Sequence, residues 1–477
     1  MNHTDLDILN GILAQFAELC RRPHPSYGEG PLADYVEELL IRRSLSPARD
    51  QWNNIMADLP PTPGRENAPL TVVQGHLDMV CAVRPGSGYE PKTSPVVTVV
   101  KDGWLRSDGN SSLGADNNLG NAAVLWLTEQ PIPHGPVRLL FTTAEEVGLQ
   151  GAKKVDPAWL AGASYLINTD GFVLGKAIVS SAGGLRETFS CPAEMTARTK
   201  PAVFSLELAG FPGGHSGYDI HRDRINPIRL AAAWLSGLDV EYELLSLTGG
   251  HAENAIPMDC TALLAVEEAD VPALNRAAEE LARAAQGELG GHVALKRAEH
   301  DGQTAWSGKF RTCVLAMLTG LFAGVHAWRN QEAEQVSASS NLGWVKTVDG
   351  QVKLSCFIRA SRQEDEDTLA QQHRQTAEQF GFDLIVDSYP GWPEKPGNCL
   401  TETLVKVWRE LTGADMEVST VHVGLEPSVL GAKNPSMLMV NTGPDIFDPH
   451  SLDERAPLAG LANYARLLAG VLNELSC

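Results

Sequence analysis

Leu70-Thr-Val-Val-Gln-Gly-His-Leu-Asp-Met-Val80 is an apolar run that turns polar only at its carboxyl end. A short apolar segment rich in β-branched residues predicts a buried β-strand. It delivers His76 and Asp78 two positions apart, and because side chains alternate faces along a strand, both are expected on one side. Taken alone, the stretch equally suits a strand that ends in a solvent-facing turn. Two further segments bear on the choice. Val137-Arg-Leu-Leu-Phe-Thr-Thr143 runs into Ala144-Glu145-Glu146, and Ser164-Tyr-Leu-Ile-Asn168 runs into Thr169-Asp170-Gly171. Three apolar strands thus end, in the same sense, in acidic residues or histidine, with helical segments between some of them. That is the pattern of an α/β sheet with its site at the carboxyl edge.

Gly109-Asn-Ser-Ser-Leu-Gly-Ala-Asp-Asn-Asn-Leu-Gly120 reads as a loop leading into a buried helix over 119–127, with Asn117 or Asn118 as its cap. Asp116 then falls just before a helix start, where amide dipoles favour its charged form. His450, in Asp448-Pro-His-Ser-Leu-Asp-Glu454, adds one more group. One carboxylate at a strand end can be chance; several together call for a cation to neutralise them. Metals that hydrolyse amides are held by imidazole nitrogen and carboxylate oxygen, with a position left for water. His76, Asp116, Glu146, Asp170 and His450 exceed the needs of one tetrahedral zinc and suit two ions sharing a bridging carboxylate. No CxxC or HExxH motif competes.

A chain of 477 residues predicts two domains. Its 43% hydrophobic and 20% charged residues are those of a globular protein. The formal charge of −21, from 38 basic and 59 acidic residues without a basic block, argues against nucleic acid and anionic membranes as partners. Met1-Asn-His-Thr-Asp-Leu-Asp7 has neither a basic start nor an apolar core, so no signal peptide is expected. No uncharged apolar run reaches the ~18 residues of a membrane span. Eight scattered cysteines without a CxxC pair fit a reducing cytosol, and a cytoplasmic location is expected.

Along the rest of the chain, helices are expected over 6–20 and 31–43, and a hairpin over 96–100 and 104–107. From about Gly183 the texture changes to strands at 203–208, 261–266 and 353–358 among helices at 225–238, 271–286 and 311–321, which predicts an antiparallel α+β domain. A Pro/Gly-rich link, Ser388-Tyr-Pro-Gly-Trp-Pro-Glu-Lys-Pro-Gly397, ends it. A helix at 399–411, a strand at 435–441 and a helix at 458–475 then complete the first sheet. The expected division is 1–183 and 397–477 for one domain and 184–396 for an insertion, long enough for two units of ~100 residues.

Gly75-His-Leu-Asp78, Gly114-Ala-Asp-Asn-Asn118, Glu145-Glu146, Asn168-Thr-Asp170 and His450-Ser-Leu-Asp-Glu454, in that order, resemble the co-catalytic zinc peptidases of the M20 family. The likeness is strongest toward its bacterial Xaa-His dipeptidases. It extends through Cys20-Arg-Arg-Pro-His-Pro-Ser26, Pro212-Gly-Gly-His-Ser-Gly217, Gly249-Gly-His-Ala-Glu-Asn-Ala-Ile-Pro257, Tyr389-Pro-Gly-Trp392 and Gly424-Leu-Glu426. The resemblance implies a zinc-peptidase-like α/β catalytic domain with an inserted ferredoxin-like lid domain, and a homodimer through that lid is compatible with it. It implies two zinc ions, with cobalt or manganese as substitutes: His76 and Asp170 on one, Glu146 and His450 on the other, Asp116 bridging. Glu145 would be the general base, facing substrate while Glu146 faces metal, as neighbours in an extended segment do. Asp78 would orient His76, and His215 would stabilise the oxyanion, from its own chain or a partner's. Asn254 and Arg359 would meet the substrate's carbonyl and C-terminal carboxylate; a turn closure and a structural ion pair are the plainer readings of those two. The implied activity is metal-dependent hydrolysis of unblocked dipeptides such as β-Ala-His. The alternatives are an M20 deacylase or tripeptidase, or a binding protein that keeps the fold without the reaction. Pro427, where relatives carry cysteine, and Met258, where they carry arginine, depart from the pattern and bear on substrate preference.

Overall fold

A computed structural model of the chain describes residues 3–475. The backbone divides into two compact units: the chain up to Ser181, 392–420 and from Leu425 onward make the first, and 182–391 with 421–424 the second. The brief return at 421–424 has no counterpart in the sequence expectations, because so short a segment carries no periodicity. Ser181 and Trp392 exchange main-chain hydrogen bonds, each 3.0 Å, so the insertion leaves and rejoins the first unit at one point.

In the first unit, among the described residues, an eight-stranded sheet runs in the order Ala48–Arg49, Ile55–Leu59, Val137–Thr142, Leu70–His76, Ala163–Asn168, Leu438–Asn441, Lys176–Ser181, Glu417–Val421. Its middle four strands are parallel, so the strand ends at Thr142, His76 and Asn168 share one edge. Leu70–His76 is buried over nearly its whole length, as a central strand covered on both faces must be. The strand stops at His76, two residues short of Asp78. Beyond Leu77 the main chain leaves the sheet, and the Met79 N–H donates to the His24 carbonyl at 3.1 Å. Asp78 is therefore not placed by strand alternation.

Helices Asp5–Cys20, Gly30–Arg42, Ala115–Leu127, Cys399–Thr412 and Leu461–Glu474 contribute to one apolar core. Thr4 and Asp7 close the first helix with a capping box. The helix expected over 119–127 begins earlier, at Ala115, with Gly114 left-handed before it (φ 72°) and non-helical backbone at Asp116 (ψ 108°). Asn117 and Asn118 do not cap it. Their side-chain amides donate instead to the Thr169 and Leu77 carbonyls, at 2.8 and 2.9 Å, and that of Asn121 to the His76 carbonyl at 2.6 Å. This close seam explains Gly75: a Cβ there would lie 2.2 Å from Asn117 Oδ1 and 2.4 Å from Asn121 Oδ1.

The second unit is built on an antiparallel sheet in the order His292–Arg297, Ala202–Ala209, Cys260–Val266, Tyr242–Gly249, Gln335–Val348, Gln351–Ala360, Gly183–Pro192, Asp383–Tyr389, with Gly324–Asn330 also paired to Gln335–Val348. The insertion has room for two ferredoxin-like units, and two strand sets are present. They are joined into one sheet through a single ladder pair, Gly249 with Val345. Helices Pro227–Ser236 and Val271–Ala284 pack on the first set, and Gln363–Phe380 on the second; Gly308–Gly320 packs against Pro227–Ser236 and Gln363–Phe380. Among the described residues no helix is long and apolar enough to cross a membrane. The described cysteines are all free thiols, and Cys477 lies outside the described residues.

Candidate metal centre

The carboxyl edge of the parallel strands gathers five of the predicted groups. His76 closes its strand, Asp170 follows Ala163–Asn168 by two residues, and Glu146 sits in the turn after Val137–Thr142. Asp116 enters from the helix start, and His450 from the loop before Arg455–Pro457, with φ 62°. One oxygen of Asp116 lies 3.1 Å from His76 Nε2, and the other lies 3.0 Å from His450 Nε2. Asp170 Oδ1 is 3.7 Å from His76 Nε2, and Glu146 Oε1 is 2.9 Å from His450 Nε2. Asp116 thus stands between two histidine–carboxylate pairs. One ligand atom from each of His76, Asp116 and Glu146 falls within 4.8 Å of the others.

The electrostatics fit a cation. Burial raises Asp170 to about 6 and Glu146 to about 7, with the Asp116 charge adding to both. Burial works against the charge on Asp116 too, but hydrogen bonds from His450 and His76 outweigh it and hold this carboxyl below the usual range. Burial opposes protonation of both imidazoles, yet their carboxylate neighbours raise His76, and raise His450 to about 10. Crowded carboxylates of this kind keep their histidines protonated, and a divalent ion supplies the same neutralisation by displacing those protons. Asp170 Oδ1 is buried with no hydrogen-bond donor, which is costly unless a cation faces it. Nitrogen and carboxylate oxygen donors in this ratio suit zinc, cobalt or manganese.

Two non-ligand carboxylates hold the turn that carries Glu145 and Glu146. The Asp78 carboxylate accepts the N–H of Glu145 at 3.0 Å and of Glu146 at 3.2 Å, and the Ser26 hydroxyl at 2.8 Å. Glu29 accepts the N–H of Ala144 at 2.9 Å. Asp78 was expected to orient His76. His76 Nδ1 donates to the Asp78 main-chain carbonyl at 3.0 Å, with the nearer carboxylate oxygen 3.5 Å away. Glu145 and Glu146 lie in irregular chain and a turn rather than an extended segment. Burial and then the Glu146 charge push Glu145 well above the usual carboxylate range. Beneath the site, Glu426 is fully buried; Gln74 and Thr142 donate to one of its oxygens, and burial raises it to about 7.

His215, Asn254 and Arg359 belong to the second unit. His215 Nδ1 accepts the N–H groups of Gly217 at 3.0 Å and Tyr218 at 3.3 Å. That places the ring proton on Nε2, which is then a donor. Burial and then the Arg359 charge lower His215 to about 4, so the ring is neutral near pH 7. Arg359 is 4% exposed, with Nε donating to Ser216 Oγ at 3.2 Å and its guanidinium over the Phe357 ring. Among the described residues no carboxylate pairs with it, so the plainer reading of a structural ion pair does not hold. Asn254 is exposed, and its carbonyl accepts the Ser216 N–H at 2.8 Å. His422, which the sequence leaves as a structural histidine, hydrogen-bonds Ser339 Oγ at 2.8 Å and is lowered to about 3 by burial, then by Arg359 and His215. Nothing in its surrounding residues signals this. Glu426 lay inside a quoted motif without a role, and Glu29 lies three residues beyond another. Of the two departures, Met258 is exposed and Pro427 opens the helix Glu426–Lys433 as its second residue.

Residues 72–474 match the model of peptidase family M20/M25/M40. The chain is 30% identical over 474 residues to the cytosol non-specific dipeptidase of Escherichia coli, covering 96% of each chain. The crystal structure of an aminoacylhistidine dipeptidase from Vibrio alginolyticus is similar, with a TM-score of 0.84, 27% identity and coverage of 97% of this chain and 96% of that one. A likeness of fold alone extends to aminopeptidase PepT from Bacillus cereus, with a TM-score of 0.57, 16% identity and coverage of 98% and 99%.

Proposed function

This chain belongs to peptidase family M20, and from that premise we propose that it is a dipeptidase acting on unblocked dipeptides, with Xaa-His such as β-Ala-His among them. Two zinc ions are the proposed cofactors, replaceable by cobalt or manganese. His76 and Asp170 would hold one, Glu146 and His450 the other, and Asp116 both. The observation that carries this reading is the division of Asp116, one oxygen 3.1 Å from His76 Nε2 and the other 3.0 Å from His450 Nε2. When bound, such ions acidify the attacking water and polarise the scissile carbonyl.

The chain's own groups supply the rest. Glu145, with its N–H anchored on Asp78 and its carboxyl raised by burial, is the general base: it takes a proton from water and returns it to the leaving amine. His215 is neutral with its proton on Nε2, and that fixed donor is assigned to the oxyanion of the tetrahedral intermediate. A buried guanidinium without a carboxylate partner calls for an anion, and Arg359 is assigned to the substrate's C-terminal carboxylate by paired N–H···O contacts. Asn254 is assigned to the substrate carbonyl on the family resemblance. The names of the relatives support a dipeptide substrate and action in the cytosol.

The test is hydrolysis of β-Ala-His, Gly-His, Ala-Leu, a tripeptide and an N-acetylated amino acid, before and after chelation and with zinc restored. Cleavage of the free dipeptides, lost on chelation and regained at two zinc ions per chain, is expected. Cleavage of the acetylated compound alone would make the chain a deacylase, and cleavage of the tripeptide alone a tripeptidase. No cleavage by the zinc-loaded protein would leave the binding-protein reading.

A further inference from the structure

Glu454 follows His450 by four residues and is 3% exposed. One of its oxygens accepts the N–H groups of Leu113 and Gly114, at 2.8 and 2.9 Å. The other accepts those of Ala115 and Asp116, at 2.8 and 3.2 Å. Four consecutive main-chain donors therefore converge on one carboxylate. Successive N–H groups turned the same way form an anion-binding concavity, and here the anion is a side chain from the far end of the same sequence. Gly114 makes the turn with φ 72°, and a Cβ there would sit 2.8 Å from Met79 Sδ. The last donor in the run is the N–H of Asp116 itself.

The other side of the clamp is equally fixed. Phe447 and Arg455 exchange main-chain hydrogen bonds of 2.8 and 3.0 Å, closing a loop that contains both His450 and Glu454. One closed loop thus presents an imidazole and, through its last acidic residue, grips the main chain that presents Asp116. We propose that Glu454 is a positioning residue of the metal centre, holding Asp116 at the midpoint between its two ligand pairs by acting on the main chain of 113–116. This rests on the two-ion reading above. Both Glu454 oxygens are taken up by main-chain N–H groups, so its hold on Asp116 passes through the backbone.

Glu454→Gln in the full chain is the test. Glutamine keeps the shape, but one oxygen becomes an NH2 that cannot accept, so two of the four N–H groups lose their partner. Zinc and cobalt affinities are measured by competition with a chromophoric chelator, alongside the visible absorption of the cobalt form. The expected result is a folded protein by circular dichroism whose metal affinity is weaker by about 10- to 100-fold, with an altered cobalt spectrum. A variant that is merely less heat-stable, with wild-type affinity, stoichiometry and spectrum, would overturn the proposal. If Glu454→Gln does not fold, Glu454→Asp decides: it keeps the carboxylate but withdraws it by one methylene, so a smaller loss of affinity is expected, and wild-type affinity would again overturn the proposal. A wild type that binds fewer than two ions per chain would instead overturn the reading of the site.

Discussion

Asp78 turns its carboxylate to the Glu145–Glu146 main chain and its own carbonyl to His76, so one residue steadies two parts of the site by different atoms. The motif Gly75-His-Leu-Asp78 announces such a residue, but only the bend after Leu77 decides which atom faces which partner. Glu145→Gln should lower kcat about a thousandfold while metal content, read by atomic absorption, stays at the wild-type value; near-normal turnover would remove Glu145 from the role of base. Arg359→Met should raise KM for a dipeptide about 10- to 100-fold and leave the matching dipeptide amide nearly unaffected. Equal loss on both substrates would mean that the guanidinium serves the fold rather than the substrate carboxylate. That the arginine is buried without an acid could not be read from Phe357-Ile-Arg-Ala360, since pairing across a sheet depends on strands far away in sequence.

The strand Leu70–His76 and the helix Ala115–Leu127 meet so closely that Gly75 has no room for a side chain. Gly75→Ala should destabilise the protein by about 1–3 kcal/mol through overpacking and weaken metal binding, because Asn117 and Asn121 would have to move with the segment that bears Asp116; urea unfolding and a chelator titration check both. In the second unit the sensitive groups are two imidazoles, the half-buried His215 lowered to about 4 and the buried His422 to about 3. Unfolded, each titrates near 6.5. Below that pH the unfolded chain binds protons that the folded one refuses, so this contribution to stability is full above 6.5 and falls as pH drops toward 4. The difference in unfolding free energy between the wild type and His422→Gln, measured from pH 7 to pH 4, should therefore shift steadily against the wild type; a difference independent of pH would show that His422 is not held neutral. The charge state of neither histidine can be read from sequence, because burial by distant segments sets it.

Across the whole molecule, divalent ions that bind only the folded chain must raise its thermal midpoint with their concentration, so chelation should lower the midpoint and zinc restore it, as calorimetry can read. The paired main chains of Ser181 and Trp392 make a second expectation: replacing 182–391 by a short turn should leave a chain that still binds metal but has no turnover, because His215 and Arg359 go with the excised part. Turnover by the shortened chain would show both to be dispensable. The sequence by itself determined the parallel strands, the acidic or histidine residue at each strand end, the insertion and the five groups proposed here to bind metal. It could do so because apolar runs, their lengths and the residue that ends them are local properties of the chain. Only the tertiary structure decided that Asp116 stands between His76 and His450, that Asp78 and Glu454 grip main chain, and that the insertion forms one sheet. Those facts depend on hydrogen bonds between residues 40 to 341 positions apart, whose geometry is fixed when distant segments pack and is written in no local pattern.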